Sequence, residues 1–164
     1  MTEKSTSSIV KTSKFVYVIY IRTTPEKLWE ALINPEFTRK YWGGVEHKSD
    51  WKPGSSWKLV FSDGRVAETG EVIEIEKPKR LILKWRNEFK PELKTEGYSR
   101  ATIEIEPAST TVKDAVKLTV THEMDLADSK FIEAVTNGWP AVLAGLKTLL
   151  ETGEALELIM PCRK

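Results

Sequence analysis

The 164-residue sequence is poor in the groups that most often betray a function. It holds one cysteine, Cys162, so no internal disulfide can form. That suits a reducing compartment, and the cytoplasm is the expected location. It holds two histidines, His47 and His122, without ligand spacing on a shared helix or hairpin. Zinc takes three or four Cys, His or carboxylate ligands, so no metal is expected, and no other cofactor either. Charge of one sign is missing too: 25 basic and 24 acidic side chains leave a formal net charge of +1. No strong field steers polyanions, so nucleic acid is not an expected partner. No apolar run approaches the ~20 residues that span a bilayer. Met1 to Lys14 is polar and lacks the apolar core of a secretion signal, so residues 1–14 read as a frayed tail. No phosphate-cradling glycine loop, nucleophile elbow or dinucleotide fingerprint occurs.

What is present is a chain of the right length for one domain, able to bury roughly 70% of the surface its unfolded form exposes. Phe15 to Ile21 is an unbroken run of apolar β-formers and predicts a strand buried on both faces. Thr24-Pro25-Glu26 and Asn34-Pro35-Glu36 are two helix starts, each with a capping side chain before a proline. They predict two short helices ended by Gly43-Gly44. Strands are predicted at Trp57–Phe61, Val66–Glu76, Leu81–Trp85, Tyr98–Glu106 and Val112–Met124, with a bulge near Gly70. Asn87 to Gly97 is polar and aperiodic and reads as a long loop. Phe131, Val135, Trp139, Val142, Leu146 and Leu150 recur at helical spacing, after a cap at Asp128 or Ser129 and before Gly153. Pro140 inside this pattern predicts a kink near Asn137–Pro140. Strands joined by short turns without helical crossovers require an antiparallel sheet. The expected organisation is an N-terminal tail over 1–14, one domain over 15–153 and a C-terminal tail over 154–164.

The chemistry-bearing residues are few. His122 shares a strand face with Leu118 and Val120 and points inward. It reads as a hydrogen-bonded core histidine, or else as a polar anchor or acid–base group. His47, beside Glu46 and near Asp50, reads as a solvated loop histidine. The same-face pairs Glu74/Glu76 and Glu104/Glu106 read as wet strand faces. Six tryptophans supply either core packing or an aromatic-lined pocket.

Thr24-Pro-Glu-Lys-Leu-Trp-Glu-Ala-Leu32, Tyr41-Trp42, Gly70 to Glu76, Lys77-Pro78, Leu81 to Trp85, Thr121-His122 and Gly138-Trp139-Pro140, in that order, resemble the family of homologues of the activator of heat shock protein 90 ATPase. The wider superfamily is that of the birch-pollen allergen and the START domains. The resemblance implies an α+β helix-grip fold: a curved antiparallel sheet of about six to seven strands around a long C-terminal helix, with two short helices after the first strand. It also implies a cavity between sheet and helix. The sequence then nominates the lining: Tyr17, Ile19, Trp57, Leu59, Phe61, Leu83, Trp85, Ile103 and His122 from the sheet, Trp139, Val142 and Leu146 from the helix, and Trp42 at one end. The expected function is a non-catalytic binding module for a small hydrophobic ligand, lipid-like or aromatic and polyketide-like. One alternative is a polyketide cyclase or aromatase-like enzyme using His122, Tyr17 and Arg100. The other is a protein-interaction module in chaperone regulation or stress response, with Leu156–Met160 and Asn87–Gly97 as contact elements.

Overall fold

In the computed structural model the described residues are 11–108 and 110–159. They form β1 (Ser13–Ile21), α1 (Pro25–Ile33), α2 (Pro35–Tyr41), β2 (Glu46–Ser49), β3 (Ser56–Val60), β4 (Val66–Glu76), β5 (Arg80–Asn87), α3 (Pro91–Lys94), β6 (Ser99–Pro107), β7 (Val116–Met124) and α4 (Lys130–Thr152). The sheet order is β1-β7-β6-β5-β4-β3-β2, and each neighbouring pair is antiparallel. This is the expected α+β helix-grip architecture. Only β1 pairs with a strand remote in sequence; α1 and α2 carry the chain from one sheet edge, β1, to the other, β2.

The local signals act as their chemistry requires. The Thr24 hydroxyl accepts from the Lys27 amide at 3.3 Å, and the Asn34 side-chain Oδ1 accepts from the Glu36 amide at 3.0 Å. Pro25 and Pro35 stand where a missing N–H leaves no helical bond unmade. The Tyr41 hydroxyl donates to the Ala31 carbonyl at 2.7 Å and ties α2 to α1. Gly145 lets α4 approach α2 closely: a Cβ there would lie 3.2 Å from the Tyr41 carbonyl oxygen. The core lies between the concave sheet and α4. Ala101, Ile103 and Ile105 of β6 and Val116, Leu118, Val120, His122 and Met124 of β7 are buried against it. From α4 come Phe131, Ile132, Trp139, Val142, Leu143, Leu146 and Leu149.

Several expectations are corrected. β1 is not buried on both faces: Val16 is 52% and Val18 44% exposed, because β1 is an edge strand whose outer face has no layer packed on it. β4 slips register on either side of Gly70 and not at Gly70 itself: at Ile73 against β5 and at Ala67 against β3. The Asn87–Gly97 segment is not all loop, since β5 reaches Asn87 and α3 forms a turn of helix. The last strand begins at Val116, leaving Val112 exposed. α4 is helical throughout Lys130–Thr152, with the Pro140 of the expected kink inside it. Proline there removes one backbone bond, but Trp139, Val142 and Leu143 are buried around it and hold the helix together. β2 was not expected, and with it His47 leaves solvent: it is a buried strand residue. In the C-terminal tail Leu158 packs partly on the core while Leu156 and Ile159 are exposed; Met160 and Cys162 lie outside the described residues.

Candidate functional site

Gly70 organises the middle of the sheet. It is the cross-strand partner of Trp57 on one side and of Trp85 on the other. A Cβ at Gly70 would sit 1.6 Å from the Lys84 carbonyl oxygen, so no larger residue fits. The two indoles meet over the gap, with ring centroids 4.4 Å apart. Trp42 lies 6.3 Å from Trp85 and 5.2 Å from Trp139, which brings α2, the sheet and α4 into one aromatic cluster. Such ring pairs add about 0.5–1.5 kcal/mol each beyond area burial.

Two neutral histidines are built into this cluster. Trp139 Nε1 donates to His122 Nδ1 at 3.2 Å, which leaves the proton of the neutral ring on Nε2. Nε2–H then donates to Ser99 Oγ at 2.6 Å, and the Ser99 hydroxyl donates to the Trp85 carbonyl at 3.0 Å. Each polar atom in the chain is used. Burial lowers the His122 pKa to about 3. His47 is held similarly on one side: Trp57 Nε1 donates to its Nδ1 at 2.9 Å. Its Nε2 has no hydrogen-bond partner, and the Trp42 ring stands edge-on to it at 5.1 Å. Burial lowers the His47 pKa to about 3 as well.

Beside the cluster a part-open cleft of about 170 Å³ separates the β3–β4–β5 end of the sheet from α4, with Leu93 of α3 on its wall. Its polar side chains are Glu68, Asn87 and Lys90; the rest of the lining is aromatic or aliphatic. Glu68 faces inward because it lies opposite Leu59 on β3 and Asn87 on β5, both inward positions. Its carboxyl accepts from Trp85 Nε1 and, at 3.5 Å, from Asn87 Nδ2. Burial in this apolar wall raises the Glu68 pKa to about 8, outweighing the two hydrogen bonds, which act downward. No three His, Cys, Asp or Glu side chains gather as a metal site among the described residues. No described helix is long and apolar enough to cross a membrane.

Residues 22–151 match the model of the family described as Activator of Hsp90 ATPase homolog 1-like protein. The chain belongs to this family. No curated protein sequence matches it. Among solved structures it is similar to PFC0360w, an Hsp90 activator from Plasmodium falciparum, at 26% identity and a TM-score of 0.60, covering 77% of this chain and 86% of that one. The Aha1 dimer from Colwellia psychrerythraea gives 19% identity and a TM-score of 0.67, covering 87% and 99%. DynU16, a protein of the dynemicin biosynthetic locus, gives 17% identity and a TM-score of 0.67, covering 88% of this chain and 50% of that one. The last two likenesses show the fold alone.

In this family member the cleft is lined by part of the nominated set: Trp42, Leu59, Phe61, Trp85, Trp139 and Val142. Trp57, Leu83, Ile103, His122 and Leu146 are core residues outside its lining, while Tyr17 and Ile19 of β1 are half-buried and also outside it. Arg100 is exposed, on the opposite side of β6 from Ala101. The sequence reading missed Glu68, Asn87, Phe89, Lys90 and Leu93. The signal for Glu68 was legible: it keeps phase with Val72, two steps along the inward face. The others come from the segment read as loop.

Proposed function

We propose that this chain is a non-catalytic binding module whose cleft holds a small apolar ligand of about one ring. The observation that carries this reading is the cleft itself, apolar on nearly every wall and open at one side. A dry apolar cavity of about 150 Å³ accommodates benzene, whereas drug-sized ligands occupy roughly 300–1,000 Å³. A volume of about 170 Å³ therefore suits one ring. A lipid chain or a multi-ring polyketide-like compound exceeds this volume. A cyclase or aromatase-like reading relies on His122, Tyr17 and Arg100, and none of these lines the cleft. Glu68 is the one carboxyl in the lining and carries no hydrogen bond to Lys90, the other titratable group there, which favours an anchoring role. Titrating the protein with single-ring hydrocarbons should quench tryptophan fluorescence and raise the melting temperature. Val135→Trp, which fills the cleft from α4, should abolish both. Absence of any response at millimolar ligand would sink the reading.

A protein-partner role is the second reading. Membership of the Hsp90-activator homologue family favours it, together with the 26% identity to an Hsp90 activator. The expected outcome is that the full chain accelerates ATP hydrolysis by an Hsp90 in a dose-dependent way; an unchanged rate at saturating chain removes the reading.

A further inference from the structure

We propose that Glu68 presents a hydrogen-bond donor to the cleft, so that the preferred ligand is a one-ring compound carrying a carbonyl or similar neutral hydrogen-bond acceptor. The proposal rests on the small-ligand reading above and names the chemistry of that ligand.

The argument is an accounting of protons. Both Glu68 oxygens accept from neutral groups, Trp85 Nε1 and Asn87 Nδ2. The Asn87 amide is fixed in this sense, because its Oδ1 accepts from the Lys90 backbone amide at 2.9 Å. Its Nδ2 must therefore face Glu68. Among the described residues no lysine or arginine is paired with the Glu68 carboxyl, although the neighbouring Glu88 is held by Arg86 at 2.7 Å and Lys94 at 2.9 Å. An anion enclosed without a cation is costly, and such a group takes up a proton instead. The pKa of about 8 agrees. A neutral carboxyl carries one O–H, and in both hydrogen bonds at Glu68 the carboxyl is the acceptor. Since Glu68 forms part of the cleft wall, that proton is available to whatever occupies the cleft.

The rest of the lining has the same sense. Lys90 on the segment after β5 is the other charged group there, and it too is a donor; β3, α2 and α4 contribute no titratable group to the lining. Behind the tryptophan wall His47 and His122 are neutral. The cleft thus offers an O–H and an ammonium group, while its side-chain oxygens, on Glu68 and Asn87, already accept hydrogen bonds. A ligand acceptor satisfies this inventory; a ligand cation meets Lys90 with like charge.

The test compares acetophenone, ethylbenzene and benzylamine, three compounds of similar size, by tryptophan fluorescence at about pH 6 and about pH 9.5. At the lower pH acetophenone should bind roughly 3- to 10-fold more tightly than ethylbenzene, the range one net hydrogen bond supplies. At the higher pH Glu68 is ionised and the preference should vanish. Glu68→Gln keeps an N–H donor and should retain the preference at both pH values; Glu68→Met should lose it at both. If Glu68→Met does not fold, the pH contrast between wild type and Glu68→Gln carries the test alone. Equal binding of acetophenone and ethylbenzene overturns this proposal and leaves the small-ligand reading standing. Tightest binding of benzylamine, strengthening with pH, overturns it in favour of a cation site. No binding by any of the three overturns both.

Discussion

Glu68, His47 and His122 occupy one aromatic interior, and it shifts each of them toward its neutral form. For the histidines the folded pKa falls from near 6.5 to about 3. Below about pH 6.5 the unfolded chain binds protons that the folded one refuses, so stability falls as the solution is acidified toward pH 3. Glu68 acts in the other direction. Its pKa rises from 4.5 to about 8, so the folded state keeps a proton that the unfolded chain releases. The stability it contributes is complete below about pH 4.5 and is lost as pH rises through 8. Above about pH 6.5 the folded histidines are neutral while the unfolded ones lose their remaining protons, so the difference between wild type and Glu68→Gln isolates the Glu68 contribution. Urea unfolding between about pH 6.5 and 8 should show wild type losing up to about 2 kcal/mol relative to Glu68→Gln. Parallel curves for the two proteins would refute the assignment. Of these three residues, the sequence made His122 legible through strict alternation with Leu118 and Val120. His47 was hidden because β2 spells Glu-His-Lys-Ser, a strand without apolar alternation whose buried side chain is a histidine.

At the scale of elements, α3 and α4 are joined by one carboxylate. Glu96 Oε1 accepts from the Lys130 amide at 2.8 Å, and its Oε2 accepts from the Phe131 amide at 3.2 Å and the Ser129 hydroxyl at 2.7 Å. The Ser129 hydroxyl oxygen accepts from the Ile132 amide at 3.1 Å. The first-turn donors that a helix leaves free are thereby covered, three of them by two side chains. A negative charge at this end also complements the helix dipole. Glu96→Ala should cost about 1–2 kcal/mol and speed hydrogen exchange at the Lys130 and Phe131 amides. It should also loosen the Leu93 wall of the cleft. Unchanged exchange at these amides would show that the contact is incidental. The sequence named Ser129 as a cap because capping is local. It gave no sign of Glu96, which lies more than thirty positions away and meets α4 only after the sheet has formed. Pro140 stands inside α4 without ending it: its low helix propensity is offset by burial of the surrounding helix face.

At the scale of the molecule, the sequence by itself determined the elements other than β2 and α3, their antiparallel succession and the inward faces of β6, β7 and α4. Those follow from interactions within a few residues: caps, turns, and apolar repeats with the period of a strand or a helix. Tertiary structure decided where the interior is filled and where it is not. Gly70 permits Trp57 and Trp85 to meet, Trp42 and Trp139 close over them, and the middle of the expected cavity becomes solid. The remaining space is displaced toward α3, so that Phe89, Lys90 and Leu93 line it and Tyr17, Ile19 and His122 do not. Periodicity states which way a side chain points. It does not state how far the ring opposite will reach, and the volume left between two packed layers depends on that distance.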